Sequence, residues 1–277
     1  MDNILCPIDF SPYSLNAMEY AAQLLQTRKG NLTLIHVFSE EEFNKFIEES
    51  FQADGESSLK EIAAEKLKML AHETESSFGV NCDYMLTIGD VNQALNKYAA
   101  EHDIDYIVMG THGNGLNADS VIGSRTIKTV ESSPVPVLTV PIQAQFNGLQ
   151  SVVYASDYSK YDKLTLQRLV SFIYNFKSRI KVVHVSHSTS EMTENNYERF
   201  KEELSTFLGY DRISYYLKEF KQDISHGIEE FVNEQEGELL VLLKKRRNFF
   251  ENLISSSVSK EISYFSSHPL LIFQEPE

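Results

Sequence analysis

Residues 106–126 read YIVMGTHGNGLNADSVIGSRT, and this segment carries the clearest fold signal in the chain. The run Tyr106–Met109 is continuously apolar, as expected of a parallel strand that is covered on both faces. Four of the twelve glycines follow within fourteen positions, namely Gly110, Gly113, Gly115 and Gly123. A helix is predicted next, over Ser120–Glu131. A strand, a glycine-rich turn and a helix in this order indicate one unit of an α/β protein.

The same alternation extends back to the first residues of the chain. Short β-rich runs predict strands at Ile4–Ile8, Leu32–Val37, Cys82–Ile88, Tyr106–Met109 and Val135–Val140. Helical periodicity predicts helices at Tyr13–Gln26, Ser57–Ser77, Val91–Glu101 and Ser120–Glu131. Because connections between parallel strands are right-handed, this pattern favours a doubly wound parallel sheet.

The pattern occurs twice in the chain. Residues 3–11 match residues 151–159 at an offset of 148, with an apolar run followed by Asp, an aromatic residue and Ser. Residues 105–109 match residues 238–242 at an offset of 133, so the second copy is 15 residues shorter. We infer a tandem duplication that gives two doubly wound five-stranded parallel-sheet domains, at 1–143 and 149–277.

Length and composition agree with two globular domains, since the chain has 277 residues, 42% of them hydrophobic. The net charge of −15 argues against nucleic-acid binding, because phosphate affinity comes mainly from Lys and Arg. Two cysteines make no disulfide framework, and no stretch approaches the roughly 18 apolar residues of a membrane span. We therefore expect a cytoplasmic protein that binds neither nucleic acid nor membrane.

The glycine cluster predicts an anion site. Glycine has no Cβ to block a phosphate from the backbone N–H groups. A helix that begins near Ser124 adds its positive end and a hydroxyl. The alternative is an ordinary turn. Neither a P-loop nor a G-x-G-x-x-G fingerprint is present.

The glycine-rich segment resembles the G-x-x-G-x9-G-[ST] signature of ATP-binding universal stress proteins. It consists of Gly110-Thr111-His112-Gly113, then nine residues, then Gly123-Ser124. Residues 6–11 are similar to the first strand and turn of that family, and residues 133–138 to its last strand. The resemblance covers nearly the whole chain and implies an adenine nucleotide alpha hydrolase-like, Rossmann-like fold. Only the first half carries the nucleotide signature.

The resemblance implies a nucleotide site in the first domain, for ATP, AMP or ADP, with or without Mg²⁺. Its residues would be Pro7, Asp9, Val37, Met109, Gly110, His112, Gly113, Gly123, Ser124, Arg125 and Thr126. Asp9 would accept hydrogen bonds from the nucleoside, between apolar walls, and the glycines and hydroxyls would surround the phosphates. No catalytic residue and no metal ligand are assigned.

Each role has a structural alternative. Asp9 could cap the first helix, a role that Ser11 could also fill. Pro7 and Val37 could simply pack within their strands. His112 could be a solvated loop residue, and Arg125 could form a surface ion pair.

The second domain departs from the signature. Leu243 and Arg246 stand at the positions of Gly110 and Gly113, and the basic run Lys244–Arg247 falls here. Bulky residues should obstruct the backbone, so we expect no ATP binding of the family type in this domain. The basic run is interpreted either as a solvated loop or as a different anion site.

The favoured function is therefore a stress-response regulator with one competent adenine-nucleotide site. A slow ATP hydrolase, with His112 or Asp9 as base, and a nucleotide-independent scaffold or chaperone-like protein are the alternatives. In this family the last strands of two domains commonly pair, which implies a pseudo-dimer within one chain and leaves a further homodimer open.

Overall fold

The computed structural model describes residues 2–38, 59–112, 123–188, 190–245 and 267–276. The chain divides into two compact units, Met1–Gln145 and Phe146–Glu277. Both units are α/β, as the sequence predicts. Among the described residues, no helix combines the length and the apolar character that crossing a membrane requires.

In the first unit the described strands form a parallel sheet in the order β3-β2-β1-β4-β5. The strands are β1 (Asp2–Pro7), β2 (Gly30–Phe38), β3 (Asn81–Ile88), β4 (Tyr106–Gly110) and β5 (Val137–Val140). The helices are α1 (Pro12–Arg28), α2 (Leu59–Phe78), α3 (Val91–Glu101) and α4 (Ser124–Ser132). This confirms the predicted alternation of strands and helices.

The second unit has the same strand order, β10-β9-β6-β7-β8, again with parallel pairing. Its strands are β6 (Ser151–Ala155), β7 (Arg179–Ser186), β8 (Ile213–Glu219), β9 (Leu239–Lys244) and β10 (Leu270–Gln274). The helices are α5 (Asp162–Ile173), α6 (Glu191–Leu208) and α7 (Ile224–Glu234), and a 3-10 turn, Tyr174–Phe176, follows α5.

The middle residues of the central strands are buried because helices pack on the sheet, and these residues are apolar. Ile4, Leu5 and Cys6 in β1 are fully buried, as are Val152, Val153 and Tyr154 in β6. The shortening of the second copy falls mainly between the second strand and the next helix. Twenty residues, 39–58, separate β2 from the next described helix in the first unit, against four residues, 187–190, in the second.

The strand order fixes where a ligand crevice can form. In the first unit the chain runs from β1 outward to β2 and β3, and then returns to the other side of β1 as β4 and β5. The connections after β1 and β4 therefore diverge, and they leave a crevice at the carboxyl ends of these strands. The corresponding switch point of the second unit lies between β6 and β9.

Candidate functional site

Asp9 lies just after β1, at the switch point of the first unit. Its carboxylate stabilises the turn into α1 through hydrogen bonds. Its Oδ1 accepts hydrogen bonds from the Ser11 backbone N–H at 3.0 Å and from the Ser11 hydroxyl at 2.5 Å. The Ser11 hydroxyl in turn accepts from the Ser14 backbone N–H at 3.2 Å. Ser11 is thus the N-cap of α1, and Asp9 holds the cap in place.

An aromatic residue beside this carboxylate occupies the left-handed region of backbone space. Phe10 has φ 60°, and its ring lies 5.0 Å from that of His36. Nδ1 of His36 lies 2.6 Å from the Ile8 carbonyl oxygen. A carbonyl can only accept, so Nδ1 carries the proton and donates. His36 is therefore a strand residue whose Nδ1 is satisfied by the backbone.

Gly110 ends β4 on the other side of the switch point. A Cβ at this position would lie 2.7 Å from the Tyr13 carbonyl oxygen and 2.8 Å from the Tyr13 carbonyl carbon. Both are backbone atoms, so the glycine permits close approach between β4 and the first turn of α1. The sequence predicts that a phosphate approaches the backbone at Gly110. The structure shows that packing against the Tyr13 backbone also requires a glycine here.

Two hydrogen bonds join the start of α4 to the end of β4. The Gly123 N–H donates to the Thr111 carbonyl oxygen at 2.8 Å. The hydroxyl of Thr126, a residue that is 2% exposed, donates to the Gly110 carbonyl oxygen at 3.0 Å. In this structure the Thr126 proton is therefore directed to the backbone, which differs from the predicted bond to a phosphate.

In the part of the chain that the structure describes, no side chain caps the N-terminus of α4. Gly123 is the N-cap, with φ −67° and ψ 144°, and no side chain of the described residues accepts from the first turn. By contrast, Ser11 caps α1 and Asp90 caps α3. Ser124 and Arg125 open the helix as exposed residues. An uncapped first turn presents backbone N–H groups and the positive helix end to an anion.

The remaining predicted residues lie at the same carboxyl edge. Pro7 ends β1 and Val37 lies near the end of β2, both half-buried, while Met109 in β4 is buried. Nδ1 of the half-buried His112 lies 3.1 Å from the Thr111 hydroxyl. Gly113 lies outside the described residues.

Sequence reasoning missed one contact in this crevice. The ring of Tyr13, in the first turn of α1, lies 5.1 Å from that of His112 at an interplanar angle of 38°. Tyr13 reads as an ordinary helix residue, and no sequence signal marks this contact. The Tyr13 ring therefore forms one side of the crevice at the end of β4.

The switch point of the second unit is bridged by an ion pair. Asp157, the counterpart of Asp9, follows β6, and its Oδ2 contacts Nζ of Lys245, which follows β9. Lys245 stands at the position of His112, and Leu243 at the position of Gly110, at the offset of 133. Arg246 and Arg247, the rest of the basic run, lie outside the described residues.

A buried carboxyl lies beside this pair. Asp162, in the first turn of α5, is 1% exposed. Its oxygens accept from the Tyr154 hydroxyl at 2.9 Å and from the Ser156 hydroxyl at 2.5 Å. Burial raises the pKa of Asp162 to about 7, although both hydrogen bonds oppose the rise. At the offset of 148, Ser14 occupies the corresponding position of the first unit. This difference between the two copies is the feature of the sequence that distinguishes Asp162.

Comparison with known proteins agrees with this architecture. The family model of the universal stress protein family matches residues 1–141 and again residues 148–274. A universal stress protein of Methanocaldococcus jannaschii is 27% identical over 152 residues, which cover 50% of this chain and 93% of that protein. One from Synechocystis is 30% identical over 138 residues, covering 50% of this chain and 84% of that protein.

Among solved structures, a universal stress protein from Archaeoglobus fulgidus superposes with a TM-score of 0.77 at 18% identity. The match covers 99% of this chain and 98% of that one. A putative universal stress protein from Pseudomonas aeruginosa gives a TM-score of 0.65 at 14% identity, covering 99% of this chain and 93% of the other. At these identities the likeness shows the fold alone. Since the family model accounts for both halves, the chain belongs to the universal stress protein family, with two copies of the family domain in tandem.

Proposed function

We propose that the first domain binds an adenine nucleotide in the crevice between β1 and β4, and that the protein acts as a nucleotide-responsive regulator of a stress response. The observation that carries the proposal is the α4 N-terminus at Gly123, where no described side chain caps the first turn and where a hydrogen bond joins the helix to the end of β4. This arrangement supplies N–H donors to an anion where doubly wound sheets hold ligands.

The proposed roles are those that the family resemblance implies, and the positions of the described side chains support them. Asp9 would accept from a ribose hydroxyl or an adenine amino group, and Pro7, Val37 and Met109 would pack against the base. The backbone at Gly110 and Gly123 would approach the phosphates, and so would that of Gly113.

Polar side chains would then complete the phosphate contacts. The Ser124 hydroxyl and the Arg125 guanidinium, both exposed at the start of α4, suit phosphate oxygens. His112 would contribute a ring N–H, and Thr126 would support the loop through the Gly110 carbonyl oxygen. ATP, AMP and ADP all fit these groups, and Mg²⁺ would bind through the phosphates with few protein ligands.

The nucleotide is proposed as an effector and not as a rapidly hydrolysed substrate. The two candidate bases take part in local hydrogen bonds, Asp9 with Ser11 and His112 with Thr111. Release of ADP or phosphate above background, lost in His112→Ala, would instead favour the hydrolase. Cys6 and Cys82 are both free and buried, which suits a reducing compartment such as the cytoplasm.

Isothermal titration of the full chain with ATP, ADP and AMP, with and without Mg²⁺, tests the proposal. We expect about one site per chain. Asp9→Asn keeps an acceptor for the turn but removes the charge, and it should weaken binding by about 10- to 100-fold. The matched change in the second domain, Asp157→Asn, should leave the affinity unchanged. No detectable heat at millimolar nucleotide would refute nucleotide binding, and equal effects of both changes would refute its assignment to the first domain.

A further inference from the structure

The two domains differ at the amino ends of their strands, the edge of each sheet opposite to the crevice. In the first domain, asparagines from three neighbouring strands form an amide ladder. The side-chain amide of Asn81 donates to Oδ1 of Asn31 at 3.1 Å, and that of Asn31 donates to Oδ1 of Asn3 at 3.0 Å. The Asn3 amide in turn donates to the Asp103 carbonyl oxygen at 3.1 Å. The first domain is therefore neutral at the ladder positions, where its own groups bond to one another.

Two arginines stand at the ladder positions of the second domain. Arg179 opens β7 at the position of Asn31, at the offset of 148. The pairing of β7 with β8 has the same register as that of β2 with β3, so Arg212, directly before β8, corresponds to Asn81. The Ile180 N–H donates to the Arg212 carbonyl oxygen at 2.8 Å. The two arginines are therefore neighbours across adjacent strands.

A third cation belongs to the same surface. Nη1 of Arg212 donates to the Lys177 carbonyl oxygen at 2.9 Å, so the Arg212 side chain reaches the segment that leads into β7. Lys177, Arg179 and Arg212 are all exposed. Within the described ranges of the chain, none of the three forms an ion pair. Like charges on neighbouring strands destabilise a sheet, so this surface favours a bound counter-charge.

Nearby carboxylates do not supply that counter-charge. Glu238 bonds to the backbone N–H of Gln150 and, at 2.9 Å, to that of Ser151. Asp211 precedes Arg212 in the chain, but in the described structure the two side chains form no ion pair. The chain as a whole has a net charge of −15, so this cluster of cations is opposite in sign to the protein that carries it.

We propose that Lys177, Arg179 and Arg212 form a binding site for a diphosphate, separate from the nucleotide site proposed for the first domain. The planar guanidinium presents forked N–H donors that match phosphate oxygens, and the lysine adds a compact charge. Adjacent strands are roughly 5 Å apart, so two linked phosphates span the two arginines better than a single phosphate does. The amide ladder of the first domain offers no charge to such a ligand.

NMR titration of the full chain with inorganic pyrophosphate tests the proposal. The Ile180 amide, which lies between the two arginines, should shift as pyrophosphate binds. The Leu32 amide, at the same position of the first domain, is the internal control and should not shift. Pyrophosphate that enters the proposed nucleotide site would shift the Ser124 amide, so the two sites are read separately. We expect a Kd below about 1 mM at low ionic strength, and weaker binding as salt is added.

Two substitutions introduce the residues of the first domain. Arg179→Asn and Arg212→Asn should each weaken pyrophosphate binding by about 3- to 10-fold, and the double change should weaken it by more than about tenfold. Arg199→Asn removes the same charge from an exposed position of α6 and is the matched control. Its affinity for pyrophosphate should equal that of the native chain.

Stability separates lost binding from lost folding. Without pyrophosphate, Arg179→Asn should not lower the midpoint of urea unfolding, because it removes a like charge and the Arg179 side chain makes no hydrogen bond to another described residue. An Ile180 amide that stays unshifted at about 10 mM pyrophosphate would overturn the proposal. Undiminished binding by the double variant would also overturn it, and tighter binding of a tetra-aspartate peptide than of pyrophosphate would overturn the assignment to a diphosphate.

Discussion

Replacing Thr126 by valine separates a structural hydroxyl from one that binds phosphate. The Thr126 hydroxyl is buried and donates to the Gly110 carbonyl oxygen at 3.0 Å, with a second carbonyl, that of Thr111, at 3.4 Å. Valine has nearly the same shape but no donor. Thr126→Val should therefore weaken the connection between α4 and β4 whether or not nucleotide is present.

The expected cost follows from the burial of this bond. An intramolecular hydrogen bond contributes about 1 kcal/mol net, and a buried carbonyl left without this partner adds a desolvation penalty, so we expect a loss of about 1 to 2 kcal/mol. Urea unfolding followed through amide signals of the first domain measures this loss separately from the second domain. Nucleotide affinity, measured on the same variant by titration calorimetry, should change by less than about threefold.

Thr126→Ser is the matched control, because it keeps the hydroxyl and removes only a methyl group. Its stability should fall by about 1 kcal/mol from lost burial, and its affinity should stay unchanged. The reasoning would be refuted if Thr126→Val were as stable as the native chain but bound nucleotide more than tenfold more weakly, while Thr126→Ser bound normally. That result would assign the hydroxyl to the phosphates.

Three further outcomes can be measured on the same chain. Gly110→Ala should lower the free energy of unfolding, measured in urea, by about 1 to 3 kcal/mol, because the new Cβ would lie 2.7 Å from the Tyr13 carbonyl oxygen. An unaltered free energy of unfolding would contradict this packing. The pKa of Asp162 is about 7 in the folded chain against 3.8 normally, so its proton stabilises the fold at acid pH and this stabilisation is lost as the pH rises through 7. The difference between the free energies of unfolding of Asp162→Asn and of the native chain should shift by up to about 3 kcal/mol in favour of Asp162→Asn from pH 5 to pH 8. Identical pH profiles of the two free energies would count against a raised pKa. Burial raises the pKa of the Cys82 thiol to about 12 and that of Cys6 still higher. A thiol reagent at pH 8 should therefore label both cysteines only as the chain unfolds, and rapid labelling of the native protein would disprove this.

Most of the fold could be predicted from the sequence because its signals are local. Continuous apolar runs such as Tyr106–Met109 mark strands that are covered on both faces, and the offsets of 148 and 133 indicate the duplication without any knowledge of contacts in space. The glycine cluster also marked the edge of the sheet where α4 begins. These features depend on neighbours along the chain, which a sequence displays directly.

The site was predicted less completely, because its partners are distant in sequence. Nothing near Gly110 shows that the Tyr13 backbone lies against it, and nothing near Thr126 shows that its hydroxyl reaches back to β4. Asp162 reads as a helix residue, yet folding places it between Tyr154 and Ser156, out of contact with water. Its pKa is set by that burial and by charges that the chain brings together only when folded.

The amino-acid sequence predicts the family, the two α/β domains and the asymmetry between a glycine-rich loop and a basic one. It could do so because periodicity, turn chemistry and repetition are encoded along the chain. Folding is needed to place Lys245 against Asp157 across the second switch point, and to bring the start of α4, where no described side chain caps the first turn, beside the end of β4. The physical reason is that ion pairing, burial and close backbone approach depend on distances in space, which the order of residues does not give.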